Sequence, residues 1–244
     1  MRRLLVPPAA LRQERIVVGE EGHRHLARVL RLTVGDEVVL FDGEGGEATA
    51  RLGRVGGLEV ELEVIARRRA AATGAPAVTL LQGLSRGERF EWVVQKAPEL
   101  GVARVVPLAT ERAVQKLAGE RADSRRRRWQ KIAAEAARQS GRAEVPVIAP
   151  VATLEAAFAA LDPGGLRLFF WEQERAPLGP LLQAPPPSHI VLAIGPEGGF
   201  SDAEAALARA AGFATCALGS RILRTETAAV AALAILGYAL GDLA

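Results

Sequence analysis

Hydrophobic and polar positions alternate strictly in LEVELEV: Leu58, Val60, Leu62 and Val64 fall on one face and Glu59, Glu61 and Glu63 on the other. Period two over seven residues predicts a half-buried strand. DEVVLFDGEGG before it, and the pair Gly56-Gly57, add strand and turn signals, so 34–65 reads as an antiparallel meander. EEGHRHLARVLR, by contrast, is a short helix with Leu26, Val29 and Leu30 on its apolar side. A small β-barrel follows from these elements. The pattern stops at ARRRAAATGAP (66–76), whose charge, small residues and closing proline predict a linker.

Beyond the linker the period changes. AVTLLQ, ARVVPL, VPVIAP, LRLFFW, HIVLAI and ATCAL are short apolar runs of buried-strand character separated by helical stretches, which argues for a mostly parallel α/β sheet. Ser85 with Glu88, and Ser201 with Glu204, have the spacing of capping boxes at two helix starts. In DSRRRRWQKIAAEAARQSGR, Trp129, Ile132, Ala133 and Ala136 form an apolar stripe, with Lys131 and Glu135 paired at four-residue spacing. The closing segment AAVAALAILGYAL is apolar all round and must be buried, in its own domain, an interface or both. Periodicity alone predicts two domains, 1–72 and 73–244, the second an unknotted open sheet.

Two loops carry the chemistry. Each follows a buried strand and opens a helix, where α/β sheets bind ligands. In the first, Gly195, Gly198 and Gly199 permit close approach of backbone to a bound molecule and Pro196 stiffens the strand exit. GPEGG is neither a phosphate loop nor G-x-G-x-x-G. Glu197 would repel a pyrophosphate but suits ribose hydroxyls or a cation such as a sulfonium. In the second, Leu218 and Gly219 precede Arg221, Ile222, Leu223 and Arg224, and Thr225 with Glu226 supplies an N-cap and a first-turn acid. The two arginines serve a ligand, or they tie down Glu226, Asp242 or helix carbonyls.

IGPEGGFSDAE followed by LGSRILRTETA closely resembles the signature of the SPOUT methyltransferases, specifically the bacterial 16S ribosomal RNA uridine N3-methyltransferase family. HLARVLRLTVGD (25–36), QKAPELGV (95–102) and RWQKIAAEAARQSGR (128–142) also resemble that family's segments, so the likeness spans nearly the whole chain. Pro98 departs from it, standing where the family has a helix-compatible residue, and predicts a kink near Glu99.

The resemblance implies a PUA-like RNA-gripping barrel over 1–72 and a SPOUT trefoil-knot methyltransferase domain over 73–244. It implies S-adenosylmethionine as cofactor, held by Gly195, Pro196, Glu197, Gly198, Leu218, Gly219, Arg221, Ile222, Leu223 and Thr225. It further implies 16S ribosomal RNA of the small subunit as substrate, contacted by His25, Arg28, Arg31, Arg128, Lys131, Arg138 and Arg142, and a homodimer. Uracil N3 must lose a proton before it can attack, so a charge-stabilising cation and a proton acceptor are required. Arg224 is the candidate for the first role and Glu135 for the second. Two alternatives stand beside this: a SPOUT enzyme acting on a ribose 2'-oxygen or a guanine nitrogen, and a non-catalytic RNA-binding protein.

Charge and composition narrow the picture little further. Basic residues number 31 against 28 acidic, and the pI near 9.6 favours a polyanionic partner. Nearly all the positive charge is arginine, as phosphate binding and a GC-rich genome both favour. The arginines at 67–69 either form a solvated face or touch phosphate. His23 and His25 lack partners at ligand spacing, so no metal is expected. The lone Cys216 excludes an internal disulfide. Pro7 and Pro8 break the first apolar run, and the last falls short of the ~20 residues a membrane span needs. A cytoplasmic protein with no membrane segment is expected.

Overall fold

The computed structural model describes residues 2–70, 74–113, 117, 119–174, 176–182 and 187–243. The chain divides into two compact units, Met1–Ala72 with Ala134–Val145, and Thr73–Ala133 with Pro146–Ala244. Residues 134–145, expected in the second domain, thus group with the first unit. The expected boundary at 72/73 lies outside the described residues.

In the first unit, strands β1 (Arg3–Leu5), β2 (Arg15–Val18), β3 (Glu37–Phe41), β4 (Gly46–Gly56) and β5 (Glu59–Arg69) form one sheet in the order β1-β3-β4-β5-β2. The meander is present: β3 pairs antiparallel with β4, and β4 with β5. Register shifts at Thr49/Ala50 and Leu52/Arg54 bend the long β4–β5 ribbon. Val60 and Leu62 point into a core shared with Leu26, Leu40 and Ile16. The arginines of the expected linker belong instead to β5. Arg67 donates to the carbonyls of Leu11 and Gln13, and Arg68 pairs with Glu47 at 2.6 Å. The strand outlasts its hydrophobic alternation because these side chains bind neighbouring backbone and acid. Glu47 also holds the buried Arg3 at 2.7 Å.

Helix α1 (Glu20–His23) passes directly into a π-helical turn over Arg24–Val29, closed by the Leu30 N–H donating to the His25 carbonyl at 2.9 Å. The wider turn rotates the expected apolar face: Leu26 is buried, whereas Val29 is 65% exposed.

In the second unit the six apolar runs are all strands: β6 (Ala77–Gly83), β7 (Val102–Leu108), β8 (Val147–Ile148), β9 (Leu166–Phe170), β10 (His189–Ile194) and β11 (Ala214–Cys216). They form a parallel sheet in the order β11-β9-β10-β6-β7-β8. Around it lie α2 (Arg89–Glu99), α3 (Gly119–Ser140, whose last residues group with the first unit), α4 (Leu154–Ala159), α5 (Asp202–Ala210) and α6 (Thr225–Ala239). Phe169, Phe200 and Phe213 pack on one sheet face with Val191, Ala193 and Ala205.

The box at Ser201 is present. Its Oγ accepts from the Glu204 N–H, and Glu204 accepts from the Ser201 N–H at 2.8 Å while its other oxygen accepts from the Glu111 N–H. The box expected at Ser85 and Glu88 is absent: α2 starts at Arg89 with Glu88 as N-cap and no side-chain cap bond. Ser85 is buried instead, in the turn leaving β6. Pro98 sits in the last turn of α2, which runs on to Glu99 and ends at Leu100, beside Gly101 at φ +79°. At that position it removes one backbone donor from the last turn, and the helix continues for only one further residue.

Candidate active site

Strands β9, β10 and β11 end side by side, and the turns that leave them enclose a cavity of about 660 Å³. Both sequence-nominated loops line it: Gly195, Pro196, Glu197 and Gly198 from the first, and Leu218, Gly219, Arg221, Ile222, Leu223, Arg224 and Thr225 from the second. Ile194, Gly199, Phe170, Trp171, Glu172, Cys216, Ala217, Ser220, Ala228 and Arg89 also line it. Of these, sequence had singled out only Gly199 as a ligand-approach position, and Arg89 and Glu172 come from strand or helix ends with no motif to mark them.

The loops are held by contacts between distant segments. Gln82, fully buried at the end of β6, donates from Nε2 to the Thr225 hydroxyl at 2.9 Å, and that hydroxyl donates to the Gly195 carbonyl. Thr225 is therefore not the expected N-cap. Arg224 caps α6 without a side-chain bond, and Thr225, the first helical residue, ties the two loops to β6. Gly83 allows close passage: a Cβ there would lie 2.4 Å from the Pro196 nitrogen and 2.8 Å from the Gly195 carbonyl carbon. Gly199 has φ +65° and a Cβ there would sit 2.2 Å from the Glu172 carboxylate.

Glu197 is engaged. Its Oε1 accepts from the Arg86 N–H at 2.9 Å and from Arg89 at 2.7 Å. Burial opposes its ionisation, but backbone N–H groups and the Arg89 guanidinium outweigh that and hold the carboxyl below the usual range. Arg89 also lies 3.8 Å from Glu226, so it joins the first loop to the start of α6. Among the described residues no ion pair involves Arg221 or Arg224, which leaves the structural ties to Glu226 and Asp242 unformed. Burial, with the Glu174 charge adding, pushes the Cys216 thiol up to about 12, so it stays protonated and is no base at neutral pH.

An RNA methyltransferase domain model matches residues 73–237, and an RNA methyltransferase PUA domain model matches 19–65. The ribosomal RNA small subunit methyltransferase E of Bacillus subtilis is 33% identical over 228 residues, 91% of this chain and 89% of its own length. That of Synechocystis is 37% identical, covering 95% of this chain and 76% of its length. The chain belongs to the ribosomal RNA small subunit methyltransferase E family. The Neisseria gonorrhoeae family member, crystallised bound to S-adenosyl methionine, superposes with TM-score 0.88 at 33% identity, covering 98% of this chain and 97% of its own. A putative methyltransferase from Legionella pneumophila, in complex with the same cofactor, also gives 0.88 at 33% identity, covering 98% of each chain.

The residues nominated for RNA in this family member divide between the units. His25, Arg28, Arg31, Arg138 and Arg142 belong to the first, Arg128 and Lys131 to the second. Arg28 and Arg31 are exposed, the latter at φ +55°. His25 Nε2 lies 3.1 Å from Arg138. Burial and then the Arg138 charge lower the His25 pKa, so the neutral ring accepts from the guanidinium. Arg128 and Arg125 are both held by Glu91, at 2.7 and 3.2 Å.

Glu135 bonds Arg138 rather than its expected partner Lys131. The Arg138 hydrogen bond lowers its pKa against the opposing effect of burial, which weakens it as a proton acceptor. The spacing of three residues to Arg138 competes with the spacing of four to Lys131, and the planar guanidinium binds both carboxylate oxygens. Among the described residues no cluster of His, Cys, Asp and Glu is arranged to hold a metal, and no helix is long and apolar enough to cross a membrane.

Proposed function

We propose that this chain methylates N3 of a specific uridine in 16S ribosomal RNA, using S-adenosylmethionine, as a cytoplasmic homodimer. The observation that carries the reading is the cavity in which GPEGG and GSRILRTE meet at the strand ends, with Arg221 and Arg224 on its wall. The cavity suits the cofactor. Its volume is ordinary for a small-ligand site, Phe170, Leu218, Ile222 and Leu223 offer an apolar slot, and a Cβ on Gly219 would meet nothing within 4 Å, leaving backbone open to a ligand.

When bound, S-adenosylmethionine supplies a methyl already activated by its sulfonium. The chain's task is to orient the uracil and stabilise the negative charge that spreads over its two carbonyl oxygens once N3 loses its proton. Arg224 is the residue for this, exposed at the start of α6 beside the loop. Its Ala variant should lose about 10²–10³-fold in turnover while cofactor affinity changes little, because the contact strengthens in the transition state. His25, Arg28, Arg31, Arg128, Lys131, Arg138 and Arg142 are assigned to RNA, with Glu135 and Glu91 fixing the guanidinium groups beside them.

Support for the dimer comes from α6 and α2, which pack together and leave Trp92, Ile235 and Tyr238 41%, 44% and 74% exposed. Apolar side chains grouped on adjoining helices mark an interface. Support for a trefoil knot comes from the Gly195-Pro196 turn lying hard against Gly83 while α6 is tied to β6 through Thr225.

Mapping decides the chemistry. A methyl on N3 occupies the pairing edge and stops reverse transcription at one uridine of small-subunit RNA treated with the enzyme. Methyl transfer that leaves this edge free and marks a ribose instead refutes the N3 assignment.

A further inference from the structure

Inside the first unit, two segments that carry arginines nominated for RNA meet at one histidine. The π-helical turn presents Arg28 and leads into Arg31, while the end of α3 carries Arg138, with Arg142 just beyond it. His25 stands on the turn, and its Nε2 lies 3.1 Å from Arg138 Nη1. A guanidinium has only donors to offer, so Nε2 must accept and the ring must be neutral. The ring hydrogen is then on Nδ1, ready to donate to the Arg3 carbonyl, the backbone group that hydrogen-bonds this imidazole.

The partners are fixed in turn. Arg3, on β1, is 1% exposed; its guanidinium pairs with Glu47 at 2.7 Å and donates to the Arg142 carbonyl at 3.1 Å. One residue of β1 thereby anchors His25 through its main chain and the segment after α3 through its side chain. Arg138 is gripped a second time by Glu135, which takes its Nε and Nη2. Of the five N–H groups of a guanidinium, three are used in this way and two are left to meet a ligand. Among the described residues, the charged groups acting on His25 are Arg138 and Glu135, both on α3, and β1 offers it a carbonyl.

We infer that His25 is a positioning residue: by accepting from Arg138 it ties the turn that bears Arg28 to the helix end that bears Arg138, setting both groups of arginines for one RNA backbone. The inference rests on the RNA reading above and makes the part His25 plays there an indirect one. The two roles call for opposite states of the ring. A histidine touching phosphate binds best as the cation. This one serves only as the neutral acceptor, because protonation turns Nε2 into a donor facing a donor and sets two like charges against each other.

Binding of purified 16S ribosomal RNA to the full chain, measured by filter retention from about pH 8 to about pH 5, separates the two roles. Wild-type affinity should fall in acid by about tenfold, the worth of one hydrogen bond to a charged group; burial and the Arg138 charge place the step below 6.5. His25→Ala should weaken binding by about the same factor, but hardly at all in an Arg138→Ala background, where the interaction is already gone. His25→Gln offers an acceptor that cannot be protonated in this range, so it should recover most of what His25→Ala loses and abolish the pH dependence. Affinity that rises in acid marks a direct phosphate contact and overturns the inference, and so does a flat wild-type profile. Equal His25→Ala losses in both backgrounds, the sign of a purely structural residue, overturn it as well. Wild type that binds 16S ribosomal RNA at no pH overturns the RNA reading and this inference with it.

Discussion

Replacing Thr225 by Val removes one hydroxyl and keeps the shape, so it isolates the hydrogen bonds that join β6, the first loop and α6. Two bonds disappear: the one accepted from Gln82 Nε2 and the one donated to the Gly195 carbonyl. Thr225 is 5% exposed and Gln82 0%, so water cannot replace the lost partner at the amide. Gln82 Nε2 is left with only a 3.4 Å contact to the Gly83 carbonyl. Each buried polar group stranded this way costs about 1–3 kcal/mol, which for the two gives a loss of about 2–6 kcal/mol. For a chain of this size that lowers Tm by roughly 4–24 °C. The Gly195 carbonyl also loses its anchor, so ligand binding has to restore the loop; about 1.4 kcal/mol spent there weakens cofactor binding tenfold. Thermal melts and calorimetry on Thr225→Val, Gln82→Leu and the double variant read both effects. The double variant should be destabilised less than the sum of the singles, because the first change already strands the group that the second removes. A Thr225→Val protein melting within about 1 °C of wild type, with unchanged affinity, refutes the account of how the loops are held.

Gly83→Ala should fail to fold or lose more than about 3 kcal/mol, because its Cβ would meet backbone atoms of Gly195 and Pro196 that have no freedom to yield; soluble yield and Tm check it. The same reasoning tempers a Gly198→Val test of the cofactor site, since a Cβ there already lies 3.0 Å from Arg112 Cβ, and a melt must accompany any titration. Glu197 has a lowered folded pKa, so its stabilisation is complete above the ordinary carboxylate value of about 4.3 and is lost as pH falls through the lower folded value. Melts from pH 6 to pH 3 should therefore fall less steeply for Glu197→Gln than for wild type, and parallel curves contradict the assignment. Ser201→Ala breaks the capping box of α5 and should cost about 1 kcal/mol, read as a Tm drop of roughly 2–4 °C.

The elements that sequence made legible are those whose cause is local. Six apolar runs are strands of the parallel sheet and LEVELEV is a half-buried strand, because period and burial are written into consecutive residues. The capping box at Ser201 was legible for the same reason: three residues suffice to form it. GPEGG and GSRILRTE were legible as two glycine-containing loops after buried strands, and they line one cavity.

What tertiary structure alone decided are the partners. Ser85 and Glu88 have the same spacing as Ser201 and Glu204, yet the chain leaving β6 must first pass beneath Pro196, so Ser85 is buried and α2 starts later. Thr225 reads as an N-cap, but Gln82, 143 positions away, claims its hydroxyl. Glu135 chose Arg138 over Lys131, and Arg89 and Glu172 became cavity residues only because the sheet order brings the ends of β6 and β9 to either side of β10. Hydrophobic period fixes which residues turn inward. Which polar group meets which depends on where distant segments cross, and a desolvated donor or acceptor takes the partner that folding puts within 3 Å.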